Sequence, residues 1–546
     1  MQLTNVIITM GKAAIMKIKS ITAFPDRIRF TFTEENFEKL TVCTYVPLVC
    51  GDSSPDFVPG STVSCQTAAG QGYYAEIPRF CGDFDQLLCR LVVERNGTPV
   101  PGVCYVTDFS DDFSEWQYDP PKTDRPVGTW VTALPEDQEY LRFGYMMTEI
   151  DMAWILTLHP DEGDIAHHFN GRTYYFRRDM MELYEAFSKP YTDRGIPFLI
   201  RFINRFHYQN HDASEELFAL LRHPGYEPDF PAVEMSAFNL RTEEGFSIYC
   251  AALDFLYARY ASPDSPYGWS VMMDIGNEVN SPGMWHNMGP MPCEGFMEEY
   301  TVSLRLAWLL SHKYYAHYRV NISLEHHHNV SDGIGDALHF YPAAQCLAQL
   351  VRICRRDGDF GWGVAAHPYP SDILNPAFWD DEDAVFSLDT PKITLKNMEV
   401  WPALLSSPDY LYRGQPRRII FDEQGFHTND EDPDTENIGA YGFVLAWLKL
   451  QRQPGIDLLL LHRYADMPDD SEYSLKLGLR RALGYGDERH LLILPGAYKK
   501  ICYAIRDMDT PEEEKWIREA REFIGSEQFD ALLNLKTPCK CLESGV

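Results

Sequence analysis

Beyond about residue 136 the chain alternates short extended apolar runs with longer stretches at helical spacing, again and again to the end. Few architectures accept that pattern, because strands that alternate with helices are covered on both faces and line up in parallel. Eight such units close the sheet into a barrel. The expected strands are Met152 to Leu158, Phe198 to Asn204, Val233 to Asn239, Val271 to Gly276, Arg319 to Glu325, Gly363 to His367, Ile419 to Glu423 and Asp457 to His462. Helices are expected at Asp179 to Ser188, Phe246 to Tyr260, Phe296 to Ser311, Ala343 to Arg355 and Ile438 to Leu450. In the second of these, Phe246, Tyr249, Cys250, Leu253, Leu256 and Tyr257 fall on one face, as on a helix packed outside a barrel. After the first strand, Asn170-Gly171 between β-formers signals a hairpin, expected to wall the barrel mouth.

The first part of the chain has a different period. From about residue 16 to residue 110, short alternating runs are separated by Gly, Pro, Asn and Asp clusters such as Cys50 to Pro55 and Asn96 to Pro99. That is the pattern of a β-sandwich. Residues 111–127 are expected to form a linker, and Glu136 to Met147 a lead-in helix. The fold class is therefore α/β, a (β/α)8 TIM barrel over 120–546 preceded by a small N-terminal β-sandwich over 1–115, the sandwich packing rather than binding ligand.

Charge narrows the partners. A formal −32 over 546 residues repels polyanions, which argues against nucleic acid and against an anionic membrane surface. Lys12 and Lys17 interrupt the apolar start where a signal peptide needs an unbroken core, and no apolar run is long enough to span a bilayer. Thirteen cysteines, with only Cys539 and Cys541 closely paired, suit reduced thiols. Together these point to a cytoplasmic protein.

In a parallel barrel the strand ends carry the chemistry, since the loops there converge on one pocket while each strand holds its last residues rigidly. The run Val271 to Ile275 stops at Gly276-Asn277-Glu278, and Ile419 to Phe421 runs out into Glu423-Gln424-Gly425. Two carboxylates at the ends of two strands suit cleavage of a glycosidic bond. That reaction needs a proton for the leaving oxygen and electron density at the anomeric carbon. Arg201 and Tyr369, at other strand ends, are candidates for the cation and the phenol that keep one carboxylate ionised.

Asn-Glu closing the fourth strand and Glu-Gln-Gly closing the seventh resemble the retaining glycoside hydrolases of clan A, and more loosely the uncharacterised bacterial glycosidase-like barrels. The resemblance implies that Glu278 is the acid/base, that Glu423 is the nucleophile, and that Asn277 binds the sugar's 2-hydroxyl. His367-Pro-Tyr369 is similar to the His-x-Tyr that several clan-A families set beside the nucleophile. His462-Arg463-Tyr464 stands where many members have a tryptophan platform, which leaves the sugar open. Arg201, Asn204, Asn239, Asn277, His328, His367, Tyr369 and His462 are expected to face a carbohydrate substrate, with Trp285 and Tyr464 among the aromatic residues that could stack on it. No cofactor is implied.

Each feature has a plainer alternative. A lone strand-end glutamate is commonly a cap or an ion-pair partner, and an aromatic residue near a turn is commonly core. Glu325-His326-His327-His328 closes the fifth strand, and alternation would put His326 and His328 on one face, as for a zinc site. The first strand offers no His-x-His, so sugar binding or a structural role is the expectation and no metal is assigned. Two rival functions stay open: a carbohydrate-binding barrel without turnover, and a metal-dependent hydrolase that uses the strand-five histidines.

Overall fold

The computed structural model describes residues 16–33, 40–45, 57–63, 66–68, 72–130, 134–205, 214–332, 336–429, 432–468, 475–486 and 493–535. The start of the chain, the turn at 50–55 and the Cys539/Cys541 pair lie outside the described residues. The chain divides into two compact units: one ends at Phe113 and takes in Cys354–Asp359, and the other comprises Ser114–Ile353 and Phe360–Val546.

The first unit is built mainly of two sheets, with a short ribbon of Phe80–Cys81 and Phe84–Asp85 beside them in sequence. A five-stranded sheet orders Asp108–Phe109, Ile18–Ala23, Arg27–Phe32, Gly72–Pro78 and Gln66–Ala68. A four-stranded sheet orders Thr98–Pro99, Arg90–Arg95, Leu40–Tyr45 and Phe57–Val63. Strict alternation makes the core: Ile28, Phe30 and Phe32 are buried while Arg27, Arg29 and Thr31 between them are partly exposed.

The second unit is a closed barrel of eight parallel strands. In order these are Val127–Trp130, Tyr145–Asp151, Phe198–Ile203, Ser270–Ile275, Arg319–Glu325, Trp362–His367, Ile419–Gln424 and Ile456–Leu461, and Val127 pairs back onto Leu459 to close the ring. Six of the eight expected strands lie where the sequence places them: Phe198–Ile203, which is third in the barrel rather than second, and the five from the fourth onward. The expected first and third need correction. Met152–Ile155 is a short helix capped by the Asp151 side chain, which accepts from the Ala153 N–H, and Leu156–Thr157 joins a small side sheet. Val233 to Asn239 is not a barrel strand; its Met235, Ser236 and Phe238 make isolated bridges to Arg205, Asn287 and Arg222.

The true first strand lies at the end of the expected linker, and the true second strand follows a helix, Pro135–Leu141, that is shorter than expected. One strand missed and one strand miscounted offset each other. Glu278 still follows strand four and Glu423 still lies on strand seven, but Arg201 belongs to strand three rather than strand two.

The outer helices are longer than their sequence limits: Arg178–Thr192, Glu243–Tyr260, Cys293–Tyr314, Ala343–Asp357 and Asp434–Leu450. The hairpin forms as Ile165–Phe169 and Arg172–Phe176, with positive φ at both Asn170 and Gly171. It does not line the cavity at the barrel mouth. It packs on the helix Glu243–Tyr260, where His167 Nε2 meets Asp254 at 2.9 Å and the Phe176 and Phe255 rings stack 3.7 Å apart. After strand eight come the ribbon Arg480–Tyr485/Ile493–Tyr498 and three helices within Lys500–Leu533. No described helix is long and apolar enough to cross a membrane.

Candidate active site

Strand four ends in a tight turn. Gly276 (φ 80°) donates its N–H to Phe202 O at 2.8 Å, and Glu278 itself adopts a left-handed φ of 37°. Glu278 is held from below by strand five, since its N–H reaches Ser323 Oγ at 3.1 Å and the Val279 N–H reaches Ser323 O at 3.0 Å. On strand seven the pairing register shifts between Phe421 and Gln424. Such an irregularity interrupts strict alternation, and here the consecutive side chains of Asp422 and Glu423 both reach Arg201.

A fully buried cation pair organises the site. The Arg201 guanidinium contacts Asp422 Oδ2 and Glu423 Oε2, comes within 3.0 Å of His367 Nε2, and lies 4.7 Å from the Trp130 ring centre. His367 presents Nδ1 to Glu278 Oε1 at 2.7 Å and to Glu423 Oε2 at 3.9 Å, with Nε2 3.3 Å from Asp422 Oδ2. Tyr369 donates its hydroxyl to Glu423 Oε1 at 3.0 Å and stands 3.1 Å from His462 Nδ1. One oxygen of Glu278 and one of Glu423 therefore lie within 4.8 Å of each other, with His367 beside both.

These surroundings drive the two glutamates apart. Burial raises the pKa of Glu278, with the negative Glu423 adding to it, against the opposing pull of His367. For Glu423 burial works in the same upward direction but is overcome by His367, His462 and Arg201, which hold its carboxyl well below the usual range. His367 is likewise penalised by burial, yet Asp422 and Glu423 push it up to about 10. Burial, with His367, Arg201 and Arg463 nearby, keeps His462 neutral, down at about 3, although Glu423 pulls the other way. Beneath this layer Asp274 is fully buried. Burial and the neighbouring Asp422, to which it hydrogen-bonds, push it well above the carboxylate range, and Asn321 Nδ2 donates to its Oδ1 at 2.8 Å.

A cavity of about 230 Å³ opens above the pair. Of the residues expected to bind substrate, Arg201, Asn277, Trp285, His462 and Tyr464 line it together with both glutamates. Asn277 Oδ1 is buried there without a hydrogen-bond partner. His367 and Tyr369 act behind the wall, on the glutamates. Asn204, Asn239 and His328 are placed elsewhere. Asn204 Nδ2 donates to Leu221 O and Ala237 O, Asn239 Nδ2 to Leu220 O and Thr242 Oγ1, and the His328 ring packs 6.0 Å from Trp401. The Tyr464 hydroxyl is also committed, to Asp137.

Strand five ends at Glu325, so alternation does not carry on through the histidines and the expected His326/His328 pair is absent. The His326 and His327 rings lie against each other instead, tilted by 38° with centres 4.4 Å apart, and with Glu325 their ligand atoms converge within 4.8 Å. Glu325 is already engaged by Asn280 Nδ2 at 2.6 Å and by the His327 backbone N–H at 2.8 Å and ring Nδ1 at 2.6 Å. That is a carboxylate employed in holding two loops.

Trp130, Glu149, Arg205, Arg463 and Met467 also line the cavity, and Asp422 and Asp274 lie below it. None of these was expected from the sequence. For the aspartates a signal existed: each interrupts an apolar strand, after Met272-Met273 and after Ile420-Phe421, and a buried carboxylate is retained only where it has partners.

A family model described as "Family of unknown function (DUF5722)" matches residues 123–532. No curated protein matches the chain. Among solved structures it is similar to a family 39 glycoside hydrolase from Bacteroides cellulosilyticus WH2, at 15% identity over 91% of this chain and 83% of that one, TM-score 0.43. It is also similar to a hyperthermophilic β-glucosidase from Pyrococcus furiosus, at 14% identity over 71% of this chain and 87% of that one, TM-score 0.40. A third is the β-glycosidase from Thermosphaera aggregans, at 10% identity over 70% of this chain and 86% of that one, TM-score 0.42.

Proposed function

We propose that this chain, which belongs to the DUF5722 family, is a retaining glycoside hydrolase that cleaves a β-linked oligosaccharide or small glycoside. One observation carries the proposal: two glutamates from strands four and seven have oxygens within 4.8 Å of each other and opposite protonation biases. Retaining enzymes set their carboxyl groups about 5–5.5 Å apart, whereas inverting ones leave a gap of about 6.5–9.5 Å for a water.

In the first step a Glu423 oxygen attacks the anomeric carbon while Glu278 gives its proton to the departing glycosidic oxygen. A glycosyl ester forms and the aglycone leaves as the alcohol. In the second step Glu278, now a carboxylate, takes a proton from water. The hydroxide oxygen attacks the same carbon and Glu423 is released. Arg201 and Tyr369 hold Glu423 ionised and aimed, His367 orients Glu278, and Asn277 Oδ1 accepts from a sugar hydroxyl.

The test is release of nitrophenol from a panel of aryl β-glycosides, with the anomeric form of the first sugar product read by proton NMR. Retention, abolished by Glu423→Gln, supports the proposal. Inversion, or full activity in Glu423→Gln, removes it.

A further inference from the structure

Below the two glutamates the barrel encloses a second pair of carboxyls. Asp274 of strand four and Asp422 of strand seven have no exposed surface, and their side chains hydrogen-bond to each other. The strand register sets Arg201, Asp274 and Asn321 side by side on strands three, four and five. Asn321 Nδ2 donates to Asp274 Oδ1 at 2.8 Å, and it has space to do so because strand six carries Gly363, where a Cβ would stand 2.4 Å from Asn321 Oδ1. Asp422 Oδ2 takes the Arg201 guanidinium and lies 3.3 Å from His367 Nε2. One oxygen of each carboxyl is then left over: among the described residues no N–H or O–H donates to Asp274 Oδ2 or to Asp422 Oδ1.

Two ionised carboxylates in contact in a dry interior repel each other, and a buried oxygen without a donor costs free energy. One proton between the two leftover oxygens removes both costs. It belongs on Asp274, because Asp422 already accepts from Arg201 and sits beside the His367 cation, whereas the other hydrogen-bond partner of Asp274 is the neutral amide of Asn321. Arg319, Tyr300 and Tyr318 are the further ionisable groups close enough to interact with Asp274 through their charge. Each is engaged elsewhere: Arg319 with Asp457 at 2.7 Å, Tyr300 with Ile275 O at 2.8 Å and Tyr318 with Ser270 Oγ at 2.9 Å. The contacting charges then balance, with Arg201 and His367 against Asp422 and Glu423, while Asp274 and Glu278 hold protons.

We propose that Asp274 is held as a neutral acid whose O–H donates to Asp422, and that through Asp422 it keeps His367 the cation that positions Glu278. The chain of contacts is unbroken, from Asp274 to Asp422, from Asp422 to His367 Nε2, and from His367 Nδ1 to Glu278 Oε1 at 2.7 Å. A cationic imidazole carries an N–H on both nitrogens, so Oε1 of Glu278 accepts and the proton for the leaving group is carried on Oε2. Asp274 touches no substrate and is a positioning residue. That role rests on the glycoside-hydrolase reading of the site, whereas the protonation of Asp274 does not.

The experiment compares Asp274→Asn with Asp274→Ala. Asparagine reproduces the neutral acid, since its oxygen accepts from Asn321 while its N–H donates to Asp422; alanine leaves Asp422 without that donor. In a Glu278→Gln background at neutral pH, the infrared difference made by Asp274→Asn should be the loss of one protonated-carboxyl band. Loss of a carboxylate band instead would overturn the proposal, and this readout needs no turnover. On aryl β-glycosides Asp274→Ala should lose about tenfold to a hundredfold in kcat, the worth of a hydrogen bond to a charged group, and Asp274→Asn should restore most of it. Without its donor Asp422 takes the proton, His367 is discharged, and Glu278 loses the neighbour that lowers its pKa, so the alkaline limb of kcat/KM should move up in Asp274→Ala alone. Equal losses in the two variants, or an unchanged pH profile in Asp274→Ala, would assign Asp274 to packing and leave the hydrolase intact. Where Asp274→Ala fails to fold, Asp274→Asn decides by itself, a loss as large as that expected of alanine overturning the proposal. Loss of the acid band with no glycoside turned over would uphold the neutral Asp274 and remove the hydrolase and the positioning role together.

Discussion

His367 Nδ1 stands 2.7 Å from Glu278 Oε1 and 3.9 Å from Glu423 Oε2, so a single buried imidazole faces both glutamates, and it faces Glu278 more closely. The roles that follow differ in their dependence on the leaving group. Glu278→Gln should slow cleavage of alkyl glycosides by about 10²–10⁴-fold. It should slow the first step for dinitrophenyl glycosides much less, because a good leaving group needs no proton. Added azide should then restore turnover and yield a β-glycosyl azide. Equal losses for both leaving groups, with no azide product, would take the acid/base role from Glu278.

His367 also predicts a pH dependence of stability. Its pKa is about 10 in the folded chain, against about 6.5 for a free histidine. The folded state therefore holds the proton more tightly, and the contribution is complete below about pH 6.5 and disappears as pH rises through about 10. Glu423, depressed, acts in the opposite sense: its contribution is present above about pH 4.3, the free value, and is lost as pH falls through its folded pKa. Urea midpoints should fall between pH 7 and 10 in wild type and fall less in His367→Gln. Parallel slopes would show that His367 is not charged in the folded protein.

Arg201 has no exposed surface and counters two carboxylates at once. Arg201→Met keeps much of the volume but leaves Asp422 and Glu423 buried with His367 alone of the site's cation pair beside them. The expected cost is about 3–5 kcal/mol, read from denaturant midpoints. Arg201→Lys should rescue little, because an ammonium cannot reproduce the fork to both carboxylates beneath the Trp130 ring. Near wild-type stability in Arg201→Met would mean the carboxylates take up protons instead.

Tyr369→Phe removes one donor from Glu423 and nothing from the core. Turnover should fall about tenfold to a hundredfold, the worth of a hydrogen bond to a charged group, while the thermal midpoint moves little. An unchanged rate would assign the tyrosine to packing alone.

What the sequence discloses about this barrel depends on how each strand is made. Strands four and seven stand out because an apolar run is stopped abruptly by polar residues at Gly276-Asn277-Glu278 and at Glu423-Gln424-Gly425. Val127–Trp130 does not stand out, being four residues that include a glycine. A Cβ at Gly128 would lie 2.0 Å from Tyr145 O, so close backbone contact rather than apolar side chains defines that strand. Tyr145–Asp151 carries Thr148 and Glu149 amid methionines and is nearly continuous in burial, so neither period declares itself. Val233 to Asn239 alternates well enough, but a period of two reports extended backbone and not which sheet receives it. The cavity wall was the least legible part. Arg205 and Arg463 lie beyond their strands, and only the closed ring brings them to one pocket.

Gly276 offers the sharpest check on how the fold aims its chemistry. Its φ of 80° is a conformation that L side chains rarely adopt, and a Cβ there would stand 2.7 Å from His286 Nδ1. His286 is buried, held down at about 3 by that burial and by the nearby His223, and the Tyr300 ring lies 5.5 Å away, so it has little room to retreat. Gly276→Ala therefore meets strain and a clash together, and should cost about 1–3 kcal/mol. Since Glu278 is two residues on, in a left-handed conformation of its own, relief by a shift of the turn would move Glu278 off His367. The expected result is a loss of kcat larger than the loss of stability explains at a temperature where the variant stays folded, with the alkaline limb of kcat/KM displaced. A variant that loses stability but keeps both kcat and the pH profile would show that the turn supports the fold without setting the position of Glu278.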